Sequence, residues 1–212
     1  MKKIMLVLLL LAAGAILYAQ VNLPEYRFAS GNWAITGQRL YQNDANARLA
    51  KMNIRVLQDG AMAYEFDARY EGGAEDGHGG FGLHIFVDSP YNSLSWGAGV
   101  SYLLWLNYDE KPLSRDIPRG LSAQVYRSYT NSRMELVQSF DLNRYTELLT
   151  DENLASPVHF KIIADGITGE IHVYDPTDES SYYVLNLNRR DLPLKGNWVV
   201  LRTNGMRMSF TN

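Results

Sequence analysis

The stretch EFDARYE puts Glu65, Asp67, Arg69 and Glu71 at every second position of a run whose other members, Tyr64, Phe66, Ala68 and Tyr70, are apolar or aromatic. Alternate residues of a strand share a face, so the charged set points one way and the apolar set the other. Two carboxylates on one face are the equipment of glycoside hydrolysis. A retaining mechanism needs them about 5–5.5 Å apart. Strand residues two apart are separated by roughly 6.5–7 Å along the backbone, so Glu65 and Asp67 fit, whereas Glu65 and Glu71 lie roughly 20 Å apart. Arg69 interrupts the row, and such a row equally describes a solvated, ion-paired face. Glu65 and Asp67 are therefore the catalytic candidates.

The outward residues of the neighbouring runs offer a different chemistry. If the strands carrying them are neighbours, Glu65, Asp67 and Arg69 join His84, Phe86 and Asp88, then Trp105 and Asn107, then Gln124 and Tyr126. Carboxylates, amides and aromatic rings on one surface are what recognises a sugar, by hydrogen bonds and ring stacking. The loop Tyr91 to Gly97, with Asn92 and Trp96, would form its rim. The competing reading buries Phe86 and Trp105 under a helix or loop and leaves the polar residues as ordinary exterior.

Other chemistries find little to work with. His78, His84, His159 and His172 fall on separate elements without ligand spacing, so no zinc site is expected. Acidic segments at Glu71 to Asp76 and Asp175 to Glu179 could supply oxygen ligands to a structural calcium, but neither follows a loop template. No other cofactor is implied, since no catalytic triad and no phosphate-cradling glycine loop is recognisable.

These side chains must be positioned by strands. The clearest is Met62 to Tyr70. Further runs of alternating or β-rich residues are expected at Trp33 to Tyr41, Ala47 to Met52, Phe81 to Asp88, Val100 to Tyr108, Leu121 to Tyr129 and Arg133 to Val137. They continue at Val158 to Ala164, Glu170 to Tyr174, Tyr182 to Leu187, Trp198 to Thr203 and Met206 to Phe210. Hairpins are expected at Asp165-Gly166 and Thr168-Gly169, and Asn204-Gly205 should join the last two strands. The glycine-rich segment Gly72 to Gly80 is expected to be mobile. One helical turn or two fits Leu142 to Leu149, crossing an end of the structure. The fold class is all-β: two packed antiparallel sheets forming one sandwich with one short helix.

The chain has no cysteine, and its formal net charge is −3. Lys2 and Lys3 followed by the apolar run Ile4 to Leu17 and small residues at Ala19 describe a signal peptide over residues 1–19, leaving 20–212 as one domain. Removing those lysines makes the balance two charges more negative, which argues against nucleic acid or anionic lipid as partner. No later segment is apolar for long enough to span a membrane. A periplasmic or extracellular place in a bacterium is expected. Without disulfides there, the hydrophobic core must supply the stability.

Five stretches resemble the concanavalin A-like lectin and glucanase superfamily, in particular its laminin-G-like bacterial branch with the keto-disaccharide hydrolase-like domains. GNWAITGQRLYQ from Gly31 is similar to the family's opening, where a Trp strand turns back through a glycine. AMAYEFDARYE from Ala61 and GFGLHIFVD from Gly80 look like two adjacent central strands. KIIADGITGEIHVYD from Lys161 and LRTNGMRMSFTN from Leu201 look like the penultimate hairpin and the final strand. The resemblance implies a jelly-roll sandwich. It also implies the glucanases' Glu-x-Asp motif, matched here by Glu65 and Asp67 with the second Glu displaced to Glu71, and the calcium that laminin-G-like domains sometimes hold.

The expected function is a non-catalytic module binding a glycan or an envelope protein through one sheet face. Two alternatives stand beside it. One is a structural component of a cell envelope or of a periplasmic flagellar filament sheath, and the other is a glycoside hydrolase using Glu65 and Asp67.

Overall fold

Alternation of period two is realised as a run of strands in the computed structural model, which describes residues 25–211. The expected leader, residues 1–19, lies outside them. The strands are β1 (Tyr26–Ser30), β2 (Trp33–Thr36), β3 (Arg39–Gln42), β4 (Ala50–Asp59), β5 (Ala61–Gly73), β6 (His78–Val87) and β7 (Ser101–Asp109). They continue as β8 (Gly120–Ser128), β9 (Met134–Asp141), β10 (Val158–Asp165), β11 (Glu170–Asp175), β12 (Asp178–Asn186), β13 (Lys195–Asn204) and β14 (Met206–Thr211). The expected strand from Trp33 to Tyr41 is a hairpin, because Gly37 takes a left-handed φ of 62° at its middle. The glycine-rich segment from Gly72 is mostly strand, with only residues 74–77 between β5 and β6.

Two antiparallel seven-stranded sheets result, ordered β1-β4-β13-β6-β7-β8-β9 and β12-β11-β10-β5-β14-β3-β2. This is the two-sheet jelly-roll sandwich anticipated from the strand pattern. Two connections differ from expectation. β5 and β6, read as adjacent, lie in opposite sheets. Asn204-Gly205 closes no hairpin: Gly205, at φ 65°, carries the chain from β13 in the first sheet to β14 in the second. The turn dipeptide specifies a sharp reversal with positive φ, not which strands pair across it. Here β13 is already held between β4 and β6, and β14 between β3 and β5.

The core lies between the sheets. Phe81, Leu83, Ile85, Tyr102, Leu104 and Val125 of the first sheet meet Tyr64, Ala68, Ile162, Ile171, Met208 and Phe210 of the second. Each buried side chain of this size contributes about 1.5–3 kcal/mol before entropy is charged against it.

Phe86 departs from the outward-facing role expected of it. Its φ is 54°, so the strand loses its alternation there, and both Ile85 and Phe86 join the core. Val87 instead turns outward to pack with Ala98 and Val200. The register shift between Trp198 and Val200 on the paired β13 accompanies this irregularity, and the Phe86 amide donates to Gln58 Oε1 at 2.8 Å.

The single expected helix is instead a 3-10 helix, Asn143–Leu148, followed by an α-helical turn, Asp151–Leu154, with Thr150 as its N-cap. A further 3-10 turn spans Arg189–Asp191. The segment from Leu142 to Pro157 crosses one end of the sandwich from β9 to β10. Among the described residues no helix is long and apolar enough to cross a membrane.

Candidate functional site

The outer face of the first sheet, at its centre, carries a cavity of about 500 Å³. Its floor follows from the pairing register. Trp105 on β7 stands opposite Gly82 on β6 and Gln124 on β8, and Asn107 stands opposite Gly80 and Ser122. Glycine is required at both β6 positions because other atoms lie where a side chain would be. A Cβ on Gly80 would come within 2.5 Å of Trp105 Cζ2, and one on Gly82 within 2.0 Å of the Leu104 carbonyl oxygen. The glycines of HGGFG thus make a shelf for Trp105.

Hydrogen bonds fix the polar groups along this floor. Trp105 Nε1 donates to Asn107 Oδ1 at 3.0 Å. Gln124 Nε2 donates to Ser122 Oγ at 2.9 Å, and Tyr126 Oη donates to Gln124 Oε1 at 2.7 Å. The rim comes from residues 88–100, where Trp96 is 61% exposed, and from Leu113, Ser114 and Ile117. His78 and Asp109, 3.0 Å apart, form one end.

Arg202 on β13 completes the cavity lining. Its guanidinium carbon lies 5.0 Å from the Trp105 ring centroid and 5.7 Å from that of Trp96, and Nη1 donates to the Trp96 carbonyl at 2.8 Å. One buried cation therefore holds two indoles and the loop between them. Its Nε has no hydrogen-bond partner. Lys51, beside it on β4, is also buried and donates to Ser95 Oγ and the Gly97 carbonyl at 2.9 and 2.6 Å.

Neither cation has an ion-pair partner among the described residues, and their surroundings disfavour charge. Burial, with Arg202's charge adding to it, lowers the Lys51 ammonium from 10.5 to about 7. Burial lowers Arg202 to about 10. His84 is held well below its ordinary 6.5 by burial and then by both neighbouring cations, so it is neutral. Its Nδ1 meets Ser101 Oγ at 3.1 Å and its Nε2 has no partner.

Of the expected binding residues, Trp96, Trp105, Asn107 and Tyr126 line this one cavity with Gln124. His84 belongs to the same sheet face but is fully buried, and Phe86 faces the core. Glu65, Asp67 and Arg69 belong elsewhere, on the outer face of the other sheet, because β5 pairs with β10 and β14. Across that register Glu65 reaches Lys161 at 3.4 Å and Asp67 reaches His159 at 2.8 Å, while Arg69 pairs with Glu71 at 2.6 Å. Each candidate carboxylate thus has a cationic or imidazole neighbour on a solvated face, and neither lines a described cavity. Asp175 and Asp178 accept turn hydrogen bonds from Thr177, Ser180 and Ser181. Among the described residues no three His, Asp or Glu side chains gather into a metal cluster.

Arg202 and Lys51 were missed by sequence reasoning. Alternation along Val200 and Arg202 marks an outward pair, but the signal had no use until β13 was known to lie between β4 and β6.

No protein-family model matches the chain, and no curated protein matches it. Solved structures do share its fold. The carbohydrate binding module CBM66 from Bacillus subtilis superposes with a TM-score of 0.57 at 14% identity, over 90% of this chain and 94% of that one. A Bacillus subtilis protein of unknown function with a galectin-like fold gives 0.54 at 14% identity, over 88% and 86%. The CBM2 module of the evolved Dit of Lactobacillus casei BL23 phage J-1 gives 0.52 at 10% identity, over 86% and 77%. At these identities the likeness is one of fold alone: a two-sheet antiparallel jelly-roll sandwich.

Proposed function

We propose that the chain is an exported, non-catalytic module that binds a glycan on the outer face of its first sheet, in the periplasm or outside a bacterial cell. The observation that carries this reading is the convergence of Trp96, Trp105, Asn107, Gln124 and Tyr126 with Arg202 on one open cavity. Exposed indole offers a sugar ring a stacking surface, and the amides and hydroxyl offer fixed hydrogen-bond partners. The Bacillus subtilis structure of similar fold is, by its name, a carbohydrate binding module, which supports the reading. Export rests on Lys2, Lys3 and the apolar run Ile4 to Leu17. Arg202, without an ion-pair partner in the cavity lining, favours a glycan bearing carboxylate or sulfate, since an anion would offset its cost.

An array of neutral and acidic oligosaccharides tests this, with Trp96→Ala as control. Hits on acidic glycans lost in the variant support both the site and the charge preference. Hits confined to neutral glycans retain the site and remove the preference. Silence on both arms counts against glycan binding.

A second reading is favoured by the apolar groups of the 88–100 loop and by Leu113: Tyr91, Leu94, Trp96, Val100 and Leu113 are all exposed. A cluster of this kind also suits docking to a protein of the envelope or of a filament sheath. Co-purification of one stoichiometric envelope protein, lost on Leu113→Ser, would select it.

A further inference from the structure

A second cavity, of about 690 Å³, lies inside the sandwich at the end crossed by residues 142–157. Inner-face residues there stay only half-buried, among them Phe66, Leu106, Ala123, Phe140, Phe160 and Val173. At the other end their counterparts Trp33, Ala50, Met52 and Leu201 are fully buried. The crossing segment is equally incomplete. Leu142, Tyr145, Leu148, Leu149 and Leu154 line the cavity, yet neither of its short helices has a buried residue, and Leu148 and Leu149 stay about two-fifths exposed.

The lining decides what can enter. The backbone groups of β5, β8 and β10 are engaged in their ladders, so the walls offer little but side-chain carbon and aromatic rings. A sugar or an extended peptide would leave hydroxyls or amides unpaired there, at about 1–3 kcal/mol each. An apolar chain leaves no hydrogen bond unmade on entry and gives the half-buried phenylalanines further contacts. Space between two sheets beneath a crossing segment also suits a small molecule better than a second copy of the chain. Polar groups of the lining include Gln124, Asn153 and His159, and a hydrogen-bonded polar cluster gathers at Tyr145 and Tyr183. There the Tyr145 hydroxyl donates to Asp175 and lies 2.5 Å from the Tyr183 hydroxyl, while the Arg144 guanidinium sits 4.7 and 5.3 Å from the two ring centroids.

We propose that the interior of the sandwich, beneath residues 142–157, holds one long-chain amphiphile, with its acyl chain between the sheets and its head group at the Tyr145–Tyr183 mouth. The site lies on the inner side of the first sheet and the aromatic face on its outer side; the two linings share Trp105 and Gln124, and occupancy of the interior does not require a ligand on that face.

Titration of the protein with dansyl-undecanoic acid, followed by displacement with palmitate and with monomeric lysophosphatidylcholine, tests the assignment. Saturable blue-shifted emission displaced by either competitor is expected. Displacement by palmitate alone identifies a fatty acid, and by the lysolipid alone a phospholipid. Ala123→Phe adds a ring from the half-buried inner position on β8 and should weaken the probe by at least about tenfold, equivalent to about 1.4 kcal/mol. If that variant fails to fold, Phe140→Ala enlarges the space and should shift preference to longer chains. Absence of saturable binding, or equal affinity in wild type and both variants, overturns the proposal. Loss of binding in Trp96→Ala, on the far side of the sheet, would overturn it as well.

Discussion

Lys51 on β4 and Arg202 on β13 stand directly opposite each other in register, two buried cations that share no carboxylate. Burying even one unpaired charge costs several kcal/mol. The sheet accommodates the pair by giving Lys51 two oxygen acceptors and by sandwiching Arg202 between indoles. Such a contact has more to do with holding the 88–100 loop and its Trp96 than with stability.

Replacement of Arg202 by Met should therefore leave global stability within about 1 kcal/mol of wild type, because a buried charge is exchanged for apolar volume. Glycan binding should be lost. Parallel urea melts and array binding check both outcomes, and a large loss of stability would show the arginine to be structural.

Trp96→Ala should lower glycan affinity by about tenfold with only a small fall in Tm, since the ring is exposed and its contact within the fold is the one with the Arg202 guanidinium. Trp105→Ala is the less informative variant: truncating a buried Trp typically costs about 3–5 kcal/mol of stability, which would confound the affinity.

Gly80→Val places methyl groups where Trp105 lies. The indole should be displaced from its shelf and the β6–β7 ladder strained, because the added Cβ also comes within 2.6 Å of the Leu106 carbonyl oxygen, so binding is abolished and stability falls. Near-ultraviolet circular dichroism reads the displaced indole, and far-ultraviolet spectra check that the sheets persist.

Stability should depend on pH through Lys51. The unfolded chain holds that proton up to about 10.5 while the folded chain releases it near 7, so the unfolded state binds more protons in between. Stability then rises with pH across that window, with a slope on the order of 1 kcal/mol per pH unit. Lys51→Met should remove this component, measured as the wild-type-minus-variant difference between pH 7 and about 9. His84 acts at lower pH with the same sign: below 6.5 the unfolded imidazole takes a proton that the folded one does not, so stability falls as the solution is acidified. His84→Gln should blunt that fall.

Glu65→Gln and Asp67→Asn should each change stability by less than about 0.5 kcal/mol, as expected for exposed cross-strand pairs. Neither should alter glycan binding. Polysaccharide turnover that disappears in either variant would reinstate the hydrolase reading.

Much of the architecture was legible because period two is a local property. Tyr64, Phe66 and Ala68 announce an inner face without reference to any partner, and the same logic placed Trp105, Asn107 and Tyr126 outward. Pairing is not local. Nothing in the Ala61 and Gly80 stretches records that they belong to opposite sheets, so the acidic row was joined to an aromatic face it never meets. Phe86 failed for another reason: a positive φ at a phenylalanine leaves no mark in residue type, and one such residue reverses inside and outside for the rest of its strand. The helical segment was found but misread in kind: Asn143–Leu148 is 3-10, and the α-helical turn, Asp151–Leu154, comes after it.

The two-residue joint at Asn204-Gly205 has a consequence for when this molecule can come into being. β13 sits near the middle of one sheet and β14 near the middle of the other, so neither sheet is whole until the closing stretch of chain has arrived. Long-range closures of this kind are slow compared with helix or hairpin formation. During synthesis everything before Lys195 is a set of strands missing its keystone. For the export proposed above this delay would be an asset: the chain would stay threadable until delivered, and lock only afterwards.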